Sequence, residues 1–172
     1  MAVIRVNYVK KGKYARSGAK ANLRYIENRT GKDGARIQRT LFNASSEITR
    51  QQAYAIIDEA SEGSTFFRVK ISPDPATEDQ MKDLLLREIT AQILEVEEKI
   101  GTPLTWVATI HDDHTAIRHV HALLIARARL LPVQEMIHAA TQACLEQRRE
   151  LDLAREQQLA REKGVNQWER ER

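Results

Sequence analysis

A single cysteine, Cys144, leaves the chain without the means for a disulfide framework or a thiolate zinc site. The apolar runs are only a handful of residues long, so no segment reads as a membrane span. The start, Met-Ala-Val-Ile-Arg-Val, enters a strand pattern directly and lacks the organisation of a signal peptide. From these absences we expect a cytoplasmic protein with no membrane partner. Internal repeats and low-complexity linkers are missing too. What remains is 172 residues, 42% hydrophobic and 30% charged, enough for one domain with a proper core and too few for two comfortable ones.

Acidic residues are scarce at the N-terminus. Residues 1–40 hold eleven Lys or Arg against only Glu27 and Asp33, a charge of +9, so the other 132 residues carry −6 of the overall +3. A concentrated basic segment in an otherwise mildly acidic chain is the electrostatic footprint of a polyanion partner, most often nucleic acid. Lys10, Lys11, Lys13, Arg16, Lys20, Arg24 and Arg29 are the candidate DNA contacts. The competing reading is a solvated basic arm.

Periodicity gives the order β-α-β-α-β-α-β-β-α. Ala2–Val9 alternates as a strand, and Ala19–Arg29 reads as a helix stopped by Thr30-Gly31. A short strand is expected near Arg36–Phe42, and Ser45-Ser46-Glu47 looks like the opening of a second helix that stops near Gly63. Thr65–Ile71 is a strand, and Thr77 caps a long helix ending at Gly101. Trp106–Ile110 and Ala122–Ala126 follow as strands, and Pro132 starts the last helix. We expect an α+β fold, a central antiparallel sheet with helices mainly on one face. Its other face would be open to a metal and a nucleic-acid strand. Residues 1–150 form the domain, and 151–172 form a charged helical or frayed tail.

Within the last two strands lies His111-Asp-Asp-His-Thr-Ala-Ile-Arg-His119-Val-His121. Strand side chains alternate, so His119 and His121 share a face, and pairing across the turn brings His111 toward them. Three imidazoles from two rigid strands make half an octahedral shell with positions left open. Imidazole suits Zn, Mn, Fe, Co or Ni, and the neighbouring Asp112 and Asp113 shift the expectation for the divalent metal toward Mn or Mg. His114 in the turn could replace His111 as the third ligand, while His138 falls in a helix and reads as incidental. A His-x-His pair alone is common in strands without any metal.

A metal beside a basic surface suits phosphoryl transfer, which needs a nucleophile. Among Tyr8, Tyr14, Tyr25 and Tyr54, the last shares an amphipathic helix with Ile56 and Ile57 and reads as core. Tyr25 ranks first, because it sits in the basic helix with Arg24 beside it and Arg29 one turn on. A phenol placed there could attack a phosphodiester to give a phosphotyrosyl intermediate.

At this point the motifs resemble those of mobilisation relaxases, the MobA/VirD-like HUH endonucleases. The His111-x7-His119-x-His121 spacing is similar to their third motif, and Lys20-Ala-Asn-Leu-Arg-Tyr25-Ile-Glu-Asn-Arg29 to their first. The order, tyrosine before histidines, also matches, whereas HUH replication and transposition nucleases place the histidines first. The resemblance covers roughly residues 1–130. It implies a relaxase-like fold with a ferredoxin-like core, and nicking of single-stranded DNA at an origin of transfer in plasmid mobilisation, with relaxosome accessory proteins as further partners. It also implies Tyr25 as nucleophile and His111, His119 and His121 as metal ligands. Many relaxases carry an acid on the middle strand, where this chain reads Arg68-Val-Lys-Ile-Ser; Asp112 and Asp113 are the candidates for that role, Asp113 being the better choice. The alternatives are a replication or transposition HUH nuclease, a small-nucleotide phosphoesterase, or a non-catalytic DNA-binding accessory protein.

Overall fold

A computed structural model describes residues 3–8, 14–31, 33–72, 83–95, 101, 104–112, 118–127, 131 and 133–170. Among the described residues ten elements follow one another: β1 (Val3–Tyr8), α1 (Ala15–Glu27), β2 (Leu41–Phe42), β3 (Glu47–Ile48), α2 (Arg50–Asp58), β4 (Thr65–Ser72), α3 (Asp83–Leu94), β5 (Leu104–His111), β6 (His119–Ala126) and α4 (Val133–Arg170). The strands form one sheet in the order β1-β4-β6-β5-β2-β3, with every pairing antiparallel. The α+β class and the antiparallel sheet therefore stand as expected. Read from β4, the run β4-α3-β5-β6-α4 with β1 as its final strand traces a split βαβ arrangement. Its two central strands, β4 and β6, lie side by side. None of the described helices is long and apolar enough to cross a membrane.

Helices cover both faces of the sheet, which corrects the expectation of helices mainly on one face. On one face Leu86, Ile89 and Ile93 of α3 and Met136 and Ala140 of α4 pack against the alternate residues Phe67, Val69, Trp106, Val120, Ala122 and Leu124. On the other, Ala19, Leu23 and Ile26 of α1 and Ala53 and Ile57 of α2 pack against Phe66, Val107, Leu123 and Ile125. The cue is in β6 itself. Its second half, Ala-Leu-Leu-Ile-Ala, is apolar without alternation, and a strand apolar on both sides must be covered on both sides.

Two local readings also change. Arg36 joins only an isolated bridge to Thr30, and the strand expected over Arg36–Phe42 shrinks to Leu41–Phe42. Between them the backbone takes irregular partners: the Arg39 amide donates to the Glu27 carbonyl, and the Thr109 hydroxyl to the Thr40 carbonyl. Ser45-Ser46-Glu47 does not open a helix. Asn43 Oδ1 accepts from the amides of Ser45 and Ser46, tightening a hairpin turn between β2 and β3. The helix starts three residues later, where Thr49 and Gln52 form a reciprocal capping box.

At the C-terminus, α4 runs unbroken through Arg170. Residues 149–162 are exposed throughout, as a solvated charged helix requires.

Candidate metal centre

His111 closes β5 and His119 opens β6, directly opposite one another in the antiparallel register; His121 pairs with Thr109. Cross-strand partners on one face bring their Cβ atoms within about 4.5–5.5 Å, and the diagonal neighbour stays within reach of a ring. The three imidazoles accordingly gather, with ring centroids 5.4 Å apart for His111–His119, 4.5 Å for His111–His121 and 5.0 Å for His119–His121. One ring nitrogen from each lies within 4.8 Å of the other two, so a single ion could be held by all three. His111 and His119 are buried and His121 is half-buried.

The tautomer of His111 follows from its surroundings. Its Nε2 lies 2.7 Å from the carbonyl oxygen of Ile26, in the last turn of α1. A carbonyl can only accept, so Nε2 carries the hydrogen and Nδ1 is left with its lone pair. Nε2 of His121 is a buried atom without a hydrogen-bond partner among the described residues. Such a backbone contact is the usual device that fixes a ligating histidine in tautomer and orientation. It also ties the site to α1.

Burial and neighbouring charge keep His121 neutral. Burial first, then His111 and His119, with Lys70 and Arg29 behind them, push the His121 imidazole down to about 3. Neutral imidazoles are the form that binds a metal, with no proton to displace near neutral pH. The residues present therefore fit a divalent ion bound through three nitrogens.

The other sequence-predicted residues are distributed around this cluster. Tyr25 is 57% exposed and lies off the buried stripe Ala19-Leu23-Ile26, one residue before the carbonyl that holds His111. Tyr14 is exposed at the N-cap of α1, and Tyr54 is half-buried beneath the Lys20 ammonium. Asp112 is exposed; Asp113 and His114 lie outside the described residues, as do Lys10, Lys11 and Lys13. His138 is exposed on α4, which packs on the opposite face of the sheet. Arg16 donates to the Ala60 carbonyl at 2.6 Å, and Lys20 pairs with Asp58 at 2.6 Å. Both cations thus brace α1 against the end of α2. Arg24 is exposed, and Arg29 is half-buried near Lys70 and His121.

Two features went unread in the sequence. Glu27 is buried at 3% exposure, ion-paired with Arg50 and within hydrogen-bond reach of Asn28 and Gln38. It lines a cavity of about 700 Å³ shared with Gln38, Arg39, Thr40, Arg50 and Gln51. Lys70 of β4 stands directly opposite His121, and Arg5 of β1 directly opposite Lys70. Period-2 alternation put Arg68 and Lys70 on one face of β4, but only the register aligns that face with the histidines. No protein-family model matches the chain, and no curated protein matches it.

Proposed function

We propose that this protein is a metal-dependent endonuclease and transesterase of the relaxase type, cutting one strand of single-stranded DNA at an origin of transfer and staying joined to it through Tyr25. The observation that carries the reading is the set of three histidine nitrogens within 4.8 Å, anchored through His111 to the backbone of the helix that bears Tyr25. A divalent ion, Mn or Mg, bound by His111, His119 and His121 would neutralise charge on the non-bridging oxygens of the scissile phosphate.

The chain's own residues supply the rest. The Ile26 carbonyl keeps His111 in the ligating tautomer. The Tyr25 oxygen forms a bond to phosphorus as the bond to the 3′ oxygen breaks; the phenol loses its proton and the departing oxygen gains one. Both sides of this exchange are phosphodiesters, so it runs backward readily and the ends can be rejoined. Of Asp112 and Asp113, the acids beside His111, Asp113 is the choice for handling the phenolic proton. Arg24, just before Tyr25, and Arg29, one turn after it, would steady a neighbouring phosphate.

The polar cavity beside Glu27 lies in the roughly 300–1,000 Å³ range of small-ligand sites and adjoins the same end of α1. It gives an unstacked nucleotide a place to sit.

Incubation of the full chain with Mn²⁺ and labelled single-stranded origin DNA tests the reading. A covalent protein–DNA adduct is expected, with a free 3′ hydroxyl on the released end. Tyr25→Phe should abolish the adduct and rejoining while metal and DNA binding remain. An adduct that survives in Tyr25→Phe and disappears in Tyr14→Phe or Tyr8→Phe moves the nucleophile. Cleavage without any adduct replaces the relaxase reading with a hydrolytic nuclease.

A further inference from the structure

The histidine face of the sheet has two unequal halves. Over β5, β6 and β2, α1 and α2 cover it with apolar side chains. Toward the β1 edge the same face presents Val3, Arg5 and Asn7 of β1, all exposed, and Arg68, exposed, with Lys70, half-buried, on β4. Only Phe66 of β4 and no residue of β1 joins the core on this side. Across the strands one row reads Thr109, His121, Lys70, Arg5. The metal cluster therefore runs without a break into a cationic strip.

That strip is electrostatically unfavourable on its own. Like charges directly opposite on paired strands destabilise a sheet, and Arg5 faces Lys70 in that relation. Arg29, entering from beyond α1, lies close enough that its charge is also felt at Lys70 and His121. Arg5 and Lys70 thus stand side by side, with Arg29 within electrostatic reach of Lys70, where a helix-covered surface gives way to an open one. An anion of extended shape, with charges repeated along its length, is the ligand that removes this penalty.

We propose that Arg5, Lys70 and Arg29 form a phosphate subsite for single-stranded nucleic acid, gripping the phosphodiester next to the one at the histidines. The strand then crosses β6 and β4 toward the β1 edge, and its bases are left free to turn away from the sheet. This deepens the relaxase reading and rests on it only for the position of the reacting phosphate. A purely structural reading is available for comparison: charged residues near an edge strand discourage pairing with other chains.

The two are separated by measuring binding of a fluorescein-labelled (dT)20 oligonucleotide to the full chain, without divalent metal, over a range of salt. For single strands, each cation that contacts a phosphate contributes about 0.7 to the slope of log Kd against log salt. Arg5→Gln with Lys70→Gln should lower that slope by about 1.4, a roughly 25-fold weaker Kd at 0.1 M salt if the curves converge at 1 M. Arg5→Lys with Lys70→Arg should keep the wild-type slope. Arg155→Gln with Arg161→Gln, an equal charge loss on the exposed part of α4, should also leave it unchanged. Far-ultraviolet circular dichroism and thermal melting establish that each variant is folded. A folded double glutamine variant with the wild-type slope overturns the subsite, as does an equal drop in the α4 control. The readout needs no cleavage, so a chain that binds this way yet forms no Tyr25 adduct would sink the relaxase reading and leave the subsite standing.

Discussion

The two faces of β5 and β6 are built from the same sixteen residues and do different work. Trp106, Ala108, Val120, Ala122 and Leu124 point into the apolar α3–α4 core. Their neighbours one position along, Val107, Thr109, His111, His119, His121 and Leu123, begin as core under α1 and finish as a histidine cluster that could hold a metal ion. Alternation makes this division possible, because successive residues are in different environments although they are only about 3.3 Å apart along the chain. The lesson is that rigidity for the site comes from the opposite face. A histidine on a strand whose back is packed solid cannot drift from its partners.

Substitutions on the two faces should therefore fail in different ways. The largest effect is expected at His121→Ala, which removes one of three ligands from a half-buried position. Titration with Mn²⁺ or Co²⁺ should show specific binding lost, and origin-DNA cleavage should drop to background, while the denaturant midpoint stays close to wild type. Retained high-affinity metal binding would break the three-histidine site. On the other face, Leu124→Ala should destabilise the fold by about 2–5 kcal/mol through lost burial and a residual cavity. The folded fraction should keep its metal affinity. A metal site weakened out of proportion to unfolding would show that the faces are coupled.

A smaller effect is expected at Glu27→Ala. This leaves the partly exposed Arg50 without its partner and loosens the last turn of α1, whose Ile26 carbonyl orients His111. Changes to partners that orient a ligand cost about 10–100-fold in affinity, and the lower end is expected here because the backbone contact itself survives. Metal titration decides it. Wild-type affinity in this variant would mean that α1 holds His111 without help from the Glu27–Arg50 pair.

A further effect, confined to acid, concerns stability. His121 has its pKa lowered in the folded chain to about 3 against 6.5 when unfolded. Below pH 6.5 the unfolded state binds a proton that the folded state refuses, so this group favours unfolding as the pH falls. Its contribution to stability is thus whole above 6.5 and declines progressively toward pH 3. Metal-free His121→Gln should show a shallower loss of stability over that window than wild type. Identical pH profiles in the two proteins would place His121 in a wetter setting than the structure gives it.

How far the site was legible depended on the kind of information needed. The His119–His121 pair and its likeness of face follow from alternation, and His111 from the shortness of the connection to the next strand. Tyr25 could be placed on a basic helix but not in relation to the metal, because helix periodicity says which residues share a side and nothing about what that side meets. Arg16 and Lys20 are candidate DNA contacts from charge alone, and only the structure shows that they also brace α1 to α2. The helices on both faces were hinted at by the unalternating half of β6, yet the alternating half argued for one. Ser45-Ser46-Glu47 had the composition of a helix start, but an Asx-type turn uses the same small polar residues.

The sequence by itself determined most of the element types, the clustering of positive charge at one end and the sidedness of the histidines, because each depends on residues a few positions apart. Tertiary structure alone decided that β4 lies between β1 and β6, and with it that Lys70 stands beside His121 and Arg5 beside Lys70. It also decided that the backbone of α1 reaches His111, 85 residues away. Local pattern specifies which way a side chain points from its own strand, whereas its neighbours are set by which strands pair and in what register, and that is settled only when all the apolar faces are buried together.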